Sequence, residues 1–152
     1  MTCLTDLRDA ACLRLKARLP AVRIGSLAGG ADAATLLRES TGLTTIFVVL
    51  LSAENKAHGS PMDFDMNATL GALIVLHGRK NQTMREVDGL AVAETVAQAL
   101  HGQTFGLAGV GAAYVLGLAP IADDELTNNG FWAWAVTWEQ GLTLSATQEG
   151  SQ

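Results

Sequence analysis

The chain has 152 residues, a formal net charge of −5, 49% hydrophobic residues and only 16% charged ones, against roughly 25% charged in ordinary globular domains. A chain of this length and apolar content builds one core without disulfides or metals, which excludes a disordered polymer. No apolar run reaches the roughly 20 residues of a spanning helix: Ile46 to Leu51 and Leu70 to Leu76 are short, and the uncharged stretch from Gly106 to Ala122 is interrupted by Gly109, Gly111, Gly117 and Pro120.

A chain so poor in charge is expected to hide part of its outside against a partner. Asp6 and Asp9 lie where a signal peptide would carry bases, and no cleavable apolar core follows, so assembly in a cytoplasm is expected. Charge is also unevenly spread. Residues 1–38 hold six bases and three acids, whereas eight acids and no base follow Arg85. Tight nucleic-acid binding needs clustered cations, so specific DNA binding is not expected. Cys3 and Cys12, nine positions apart on one helix, point to opposite sides and cannot bridge. They read as packing residues in a reducing compartment.

Leu4, Leu7, Ala11, Leu15 and Leu19 recur at helical spacing, predicting an amphipathic helix over 3–19 with Thr2 as N-cap and Pro20 as terminator. Leu13 falls on the opposite face and is a candidate contact with a neighbouring subunit. Val22 to Leu27 alternates as a short half-buried strand, and residues 31–41 read as a helical turn or a loop. Leu43 to Ser52 is a β-branched and aliphatic run of the kind buried on both faces of a sheet. Residues 53–67 then read as a loop. Met62, Phe64 and Met66 alternate there with Asp63 and Asp65, either as a short strand or as an arm that lays its apolar side on another chain.

Thr69 to Leu76 is a further aliphatic strand. Thr83 to Glu86 has the form of a capping box, and Leu90, Val92, Ala93, Val96, Ala97, Ala99 and Leu100 cover one side of the following helix, which stops at His101-Gly102. Val110 to Leu118 reads as a strand, Asp123 to Gly130 as an acidic turn, and Phe131 to Gln140 as the last strand. On that strand Trp132, Trp134, Val136 and Trp138 share one face, for burial under the helices or for a subunit contact. The order α-β-β-β-α-β-β predicts an α+β sandwich, a mostly antiparallel sheet with both helices on one side. It forms one domain over 1–144, with a polar tail from 145 to 152.

Catalytic signatures are missing. His58, His77 and His101 are widely separated, no nucleophile elbow or phosphate loop is present, and Gly106, Gly109 and Gly111 follow a helix where a dinucleotide turn follows a strand. Asp123, Asp124 and Glu125 read as a solvated turn. The expectation is a non-enzymatic protein without catalytic, cofactor-binding or metal-ligating residues.

Two stretches carry a resemblance. Leu19-Pro20-Ala21-Val22-Arg23-Ile24-Gly25-Ser26-Leu27, followed by Gly29 and Asp32, is similar to the segment after the first helix in Mu-like bacteriophage and prophage tail proteins. Trp132-Ala133-Trp134-Ala135-Val136-Thr137-Trp138-Glu139-Gln140 resembles that family's closing strand. The aliphatic strand pair and the helix ending Ala99-Leu100-His101-Gly102, with Phe105-Gly106-Leu107 soon after, complete the match over about 4–144.

The resemblance implies a tail terminator, a sixfold ring of identical subunits at the end of the tail tube that presents the docking surface for the head's neck. Its implied partners are further copies of itself, the tail tube protein and the head-tail connector or neck proteins, in a virion assembled in the host cytoplasm. No cofactor and no membrane is implied. Another neck or connector protein is the nearest alternative, and a small enzyme or ligand-binding subunit the more distant one. A closed ring needs two different adhesive sides on each subunit. An acidic lumen would let the genome pass without holding it, and Asp123, Asp124 and Glu125 are the candidates for its lining or rim. Arg14, Lys16 and Arg18 are then expected away from the channel, on the outside or at subunit contacts.

Overall fold

A computed structural model of the chain describes residues 3–27, 33–40, 44–55, 63–77 and 82–145. The first helix, α1 (Leu4–Arg18), forms where the spacing predicts, with Leu7, Ala11 and Leu15 fully buried. Its N-cap is Cys3 rather than Thr2. The Asp6 carboxylate reaches back to accept the Cys3 backbone N–H at 3.1 Å, one arm of a capping box, and this bond holds the Asp6 carboxyl below its ordinary pKa. The contribution of this cap to stability is present above the unfolded pKa and is lost as pH falls through the lower folded value.

Five strands form one sheet in the order β1-β2-β3-β5-β4: β1 (Arg23–Leu27), β2 (Thr44–Asn55), β3 (Asp63–His77), β4 (Tyr114–Ile121) and β5 (Phe131–Ser145). Three of the four pairings are antiparallel and β1 runs parallel to β2. A parallel neighbour needs a crossover rather than a hairpin, and α2 (Ala33–Glu39) lies on that connection. The helical-turn reading of residues 31–41 was therefore the right one of the two, extended to seven residues.

The sheet has two apolar faces. On the first, α1 and α3 (Gln82–Leu100) cover Ile46, Val48, Leu70, Ile74, Val136 and Trp138. On the second, Leu36 of α2 and Leu126 of the short α4 (Asp124–Asn128) pack with Phe47, Val49, Leu73, Val75 and Ala133. This second layer explains why Thr44 to Val49 is apolar at nearly every position. The α+β order stands, with both long helices on one face and two short ones added on the other.

Several boundaries move. Residues 53–67 are not one loop: β2 runs to Asn55 and β3 starts at Asp63, because β3 continues alongside the long β5, with Met66 opposite Leu142, and β2 continues alongside β3, with Asn55 opposite Met66. The fourth strand is Tyr114–Ile121 rather than Val110–Leu118. Val110 makes an isolated bridge to Leu142, while positive φ at Gly106 and Gly109 turns the chain back onto β5. The acidic turn becomes α4, whose N-cap Asp123 accepts the Leu126 N–H at 3.1 Å. Helix α3 begins at Gln82, which places Thr83 inside its first turn, and Leu90 stands 40% exposed where the helical wheel put it inside. At the other end Gly102, at φ 83°, closes α3 as read.

Trp134 and α3 approach closely through Gly89, where an added methyl would overlap the indole ring and press on Leu76. Replacing a helix glycine by alanine ordinarily gains about 1 kcal/mol, and overpacking costs about 1–3 kcal/mol. Gly89→Ala is therefore expected to destabilise by about 1 kcal/mol or more in a urea melt. A gain in stability would show that Trp134 gives way freely.

Candidate functional site

The residues singled out for assembly fall into three groups. Leu13 points outward, 67% exposed. It stands between two shallow depressions on α1, one shared with Lys16, Gly25 and Ser26 and the other with Arg14, Gln103 and Phe105. Met62 and the Phe64 side chain lie outside the described residues, whereas Met66 is half-buried on β3 against the first core of its own subunit. Asp124 and Glu125 are exposed in the first turn of α4, where carboxylates suit the positive end of the helix. Asp123 is engaged in capping that helix. The structure does not bring these three groups together.

The bases of α1 divide in two. Arg14 donates to the Ala99 carbonyl at 3.1 Å and Arg8 to that of Leu27 at 3.5 Å, so both tie α1 to its own subunit. Lys16, Arg18 and Arg23 are exposed. Ion pairs among the described residues are Arg8–Asp9 and Arg38–Glu39.

Further exposed apolar residues gather on strands β4 and β2. The edge strand β4 presents Tyr114, Leu116 and Leu118, at 59%, 51% and 36% exposure, and β2 presents Leu50 and Leu51. The strand read over Val110 to Leu118 overlaps β4, but its patterning does not mark it as an edge strand with a bulge between Val115 and Gly117.

Both edges of the sheet are closed to further strand pairing. On β4, Pro120 has no N–H to give and the Val115 N–H is taken by Nδ1 of His101 at 3.1 Å. On β1, the Gly25 and Leu27 carbonyls receive Cys12 Sγ and Arg8 from α1. These devices are typical of edges kept from uncontrolled aggregation.

Beyond the reach of α2 and α4, the second sheet face turns polar. Asp65 accepts from Thr143 at 2.8 Å and Glu139 from Asn67 at 3.2 Å, with Thr69 opposite Glu139 and Thr137 next on the same face. Glu54, opposite Asn67, adds a third carboxylate to this half of the face.

Gln140 is a polar residue that the sequence reading passed over as part of the last strand. It is 1% exposed, accepts the Trp138 indole N–H at 3.3 Å and donates to the carbonyls of Gln103 and Gly111, both at 2.8 Å. The segment between α3 and β4 is thereby fastened onto β5. Trp138 is fully buried while Trp132 and Trp134 are half-covered, so the tryptophan face serves the core.

His77 stacks on Phe131 at 4.2 Å, and His101 caps β4. His58 lies outside the described residues. Among the described residues no three His, Cys, Asp or Glu side chains gather as a metal-ligand group, and no helix is long and apolar enough to cross a membrane. The groove between the end of β4, α4 and β5 is lined by Pro120, Ile121, Asp123, Thr127, Trp132 and Trp134, which supply no paired nucleophile and base.

Burial pushes the Cys12 thiol above its ordinary pKa, with Asp9 adding to the shift. Thiolate is the reactive form. Near neutral pH, Cys12 is therefore expected to label with a thiol reagent only on unfolding, while the less buried Cys3 labels in the native protein. Mass mapping of a brief alkylation checks this, and native labelling of Cys12 would contradict it.

No known family description and no curated protein matches the chain. Among solved structures, a chain from the "Virion of native gene transfer agent (GTA) particle" shares its fold with a TM-score of 0.57 at 12% identity, over 91% of this chain and 95% of that one. A second solved chain, 11% identical, covers 90% of this chain and 89% of its own at a TM-score of 0.47. The first likeness is one of fold along nearly the full length of both chains.

Proposed function

We propose that the chain is a structural component of a phage-like virion, a tail terminator whose copies close into a sixfold ring on the tail tube and offer the head's neck a docking surface. The observation that carries this reading is the fold shared end to end with a chain of a gene transfer agent virion. It agrees with the resemblance of residues 19–27 and 132–140 to Mu-like tail proteins. The surface suits a subunit that spends its life among copies of itself: few charges overall, exposed leucines on β4 and α1, and blunted edges that stop the sheet from growing without limit.

In this reading the partners are further copies of the chain, the tail tube protein and the neck or connector proteins, and the role is not enzymatic. The polar half of the second face, with Glu54, Asp65 and Glu139, is suited to the channel. Acids there repel passing phosphates, where bases would hold them. The α4 turn with Asp123, Asp124 and Glu125 suits the rim, since it lies at the end of the sheet. Met62 and Phe64 remain proposed contacts with a neighbouring chain, whereas Met66 packs on the core of its own subunit.

A cap that ends a polymer decides when the polymer stops. Removing the gene from a producing strain is therefore expected to yield tubes of unregulated length without heads. Tubes of normal length that merely fail to join heads would make the protein a connector instead. Intact particles would overturn the proposal.

A further inference from the structure

A ring that closes by rotation needs two unlike surfaces on opposite sides of the subunit, placed at the same height along the ring axis. The register of the sheet shows whether such surfaces exist. Ser26 on β1 is level with Val48, Ala72, Val136 and finally Leu118 on β4. Arg23 is level with Thr45, Val75, Ala133 and Ile121 in the same way. The two edges of the sheet therefore present matching rungs.

At the upper of these rungs, the β1 edge has a shallow depression between α1 and β1 lined by Asp9, Cys12, Leu13, Lys16, Gly25 and Ser26. The β4 edge has the exposed side chains of Leu116 and Leu118. Leu118 is paired with Val136 of the first core, so it faces the side of the sheet on which α1 lies. At the lower rung, Arg23 is exposed and adjoins Ile24, which packs in the first core, so Arg23 faces the second side. Arg18 ends α1 nearby in the chain. Across the sheet at the same end, Asp124 and Glu125 are exposed on α4, which also lies on the second side. None of these four charged residues has an ion-pair partner among the described residues.

The leucines thus face the depression on the first side, and Arg23 faces Asp124 and Glu125 on the second, on matching rungs of opposite edges, whereas Arg18 lies on the first side with α1. We infer that the β4 edge of one copy docks on the α1–β1 edge of the next, Leu116 and Leu118 entering the depression beside Leu13 while Asp124 and Glu125 meet Arg23. The occupant is a second copy of this chain. Charge complementarity argues for it, because the bases cluster at one edge and the acids at the other. Side chains make the contact, since Pro120 and His101 on β4 and Cys12 and Arg8 on β1 prevent the sheet from running on between copies. The inference rests on the ring reading for its head-to-tail geometry.

Sedimentation equilibrium of the purified chain, at concentrations up to about 1 mM and at low and high salt, tests it. The wild type is expected to associate, less so at high salt. Arg23→Glu and Asp124→Lys/Glu125→Lys are each expected to weaken association by about a hundredfold through like-charge juxtaposition, with unchanged circular dichroism. A one-to-one mixture of the two variants restores both contacts when they alternate, so association should return. The contact is overturned if either variant associates as the wild type does, if the mixture stays monomeric, or if the wild type never associates. Its failure is separable from that of the virion reading. Both reversals assembling normally into particles would remove the contact and leave the terminator, whereas association through this contact by a protein absent from particles would do the opposite.

Discussion

Trp138→Ala is expected to be the most damaging single substitution. Trp138 is fully buried and sits on a rung between Leu70 of β3 and Val115 of β4, under the first helical layer. Truncating a large core aromatic costs about 3–5 kcal/mol in lost transfer energy and residual cavity. Set against a total stability of about 5–15 kcal/mol, the variant is marginal or unfolded. Its melting temperature should fall by roughly 10 °C if it folds at all. Trp132 and Trp134, half-covered on the same strand face, should each cost less than half as much. Equal effects at all three positions in urea melts would mean that burial does not grade this face.

Gln140→Leu keeps the volume and removes the amide. The Gly111 carbonyl and the Trp138 indole N–H then lose the partners shown for them, while the Gln103 carbonyl keeps the Ala113 N–H at 2.9 Å. Leaving buried polar groups unpaired costs about 1–3 kcal/mol each. Water reaches Gly111 at the exposed surface, so a loss of about 2–3 kcal/mol is expected in all. Hydrogen exchange separates this from a general weakening. The Gly111 and Thr143 amides, which bond Gly141 and Gly109 across the fastened segment, should exchange faster than those of β2 and β3. Uniform acceleration, or no loss of stability, would remove Gln140 from its fastening role.

What the sequence disclosed, and what it withheld, follows from how each element is stabilised. α1 and the later part of α3 were legible because their buried faces repeat at helical spacing, as Leu7, Ala11 and Leu15 do. β2 and the last strand were legible because β-branched and aromatic residues line them. The start of β3 was half legible: the alternation of Phe64 and Met66 with Asp63 and Asp65 offered a short strand beside the arm reading, while the pairing that makes it part of β3 comes from β5, more than 70 residues downstream. α2 was legible only as a possible helical turn and α4 only as an acidic turn, because the buried leucines among their described side chains, Leu36 and Leu126, are too few for a period. Gln140 gave no signal, since its partners are backbone carbonyls. Leu13 stood out as the lone leucine facing away from its stripe, whereas Leu116 and Leu118 passed as strand residues until β4 proved to be an edge.

The most direct test of the central claim is a cryo-electron reconstruction of the intact particle at the head-proximal end of its tail. Six copies of this chain are expected in one ring on the last tube layer, with acids toward the channel and no Arg or Lys at its narrowest point. A single copy, a twelvefold ring, or absence of the chain from the particle would contradict it.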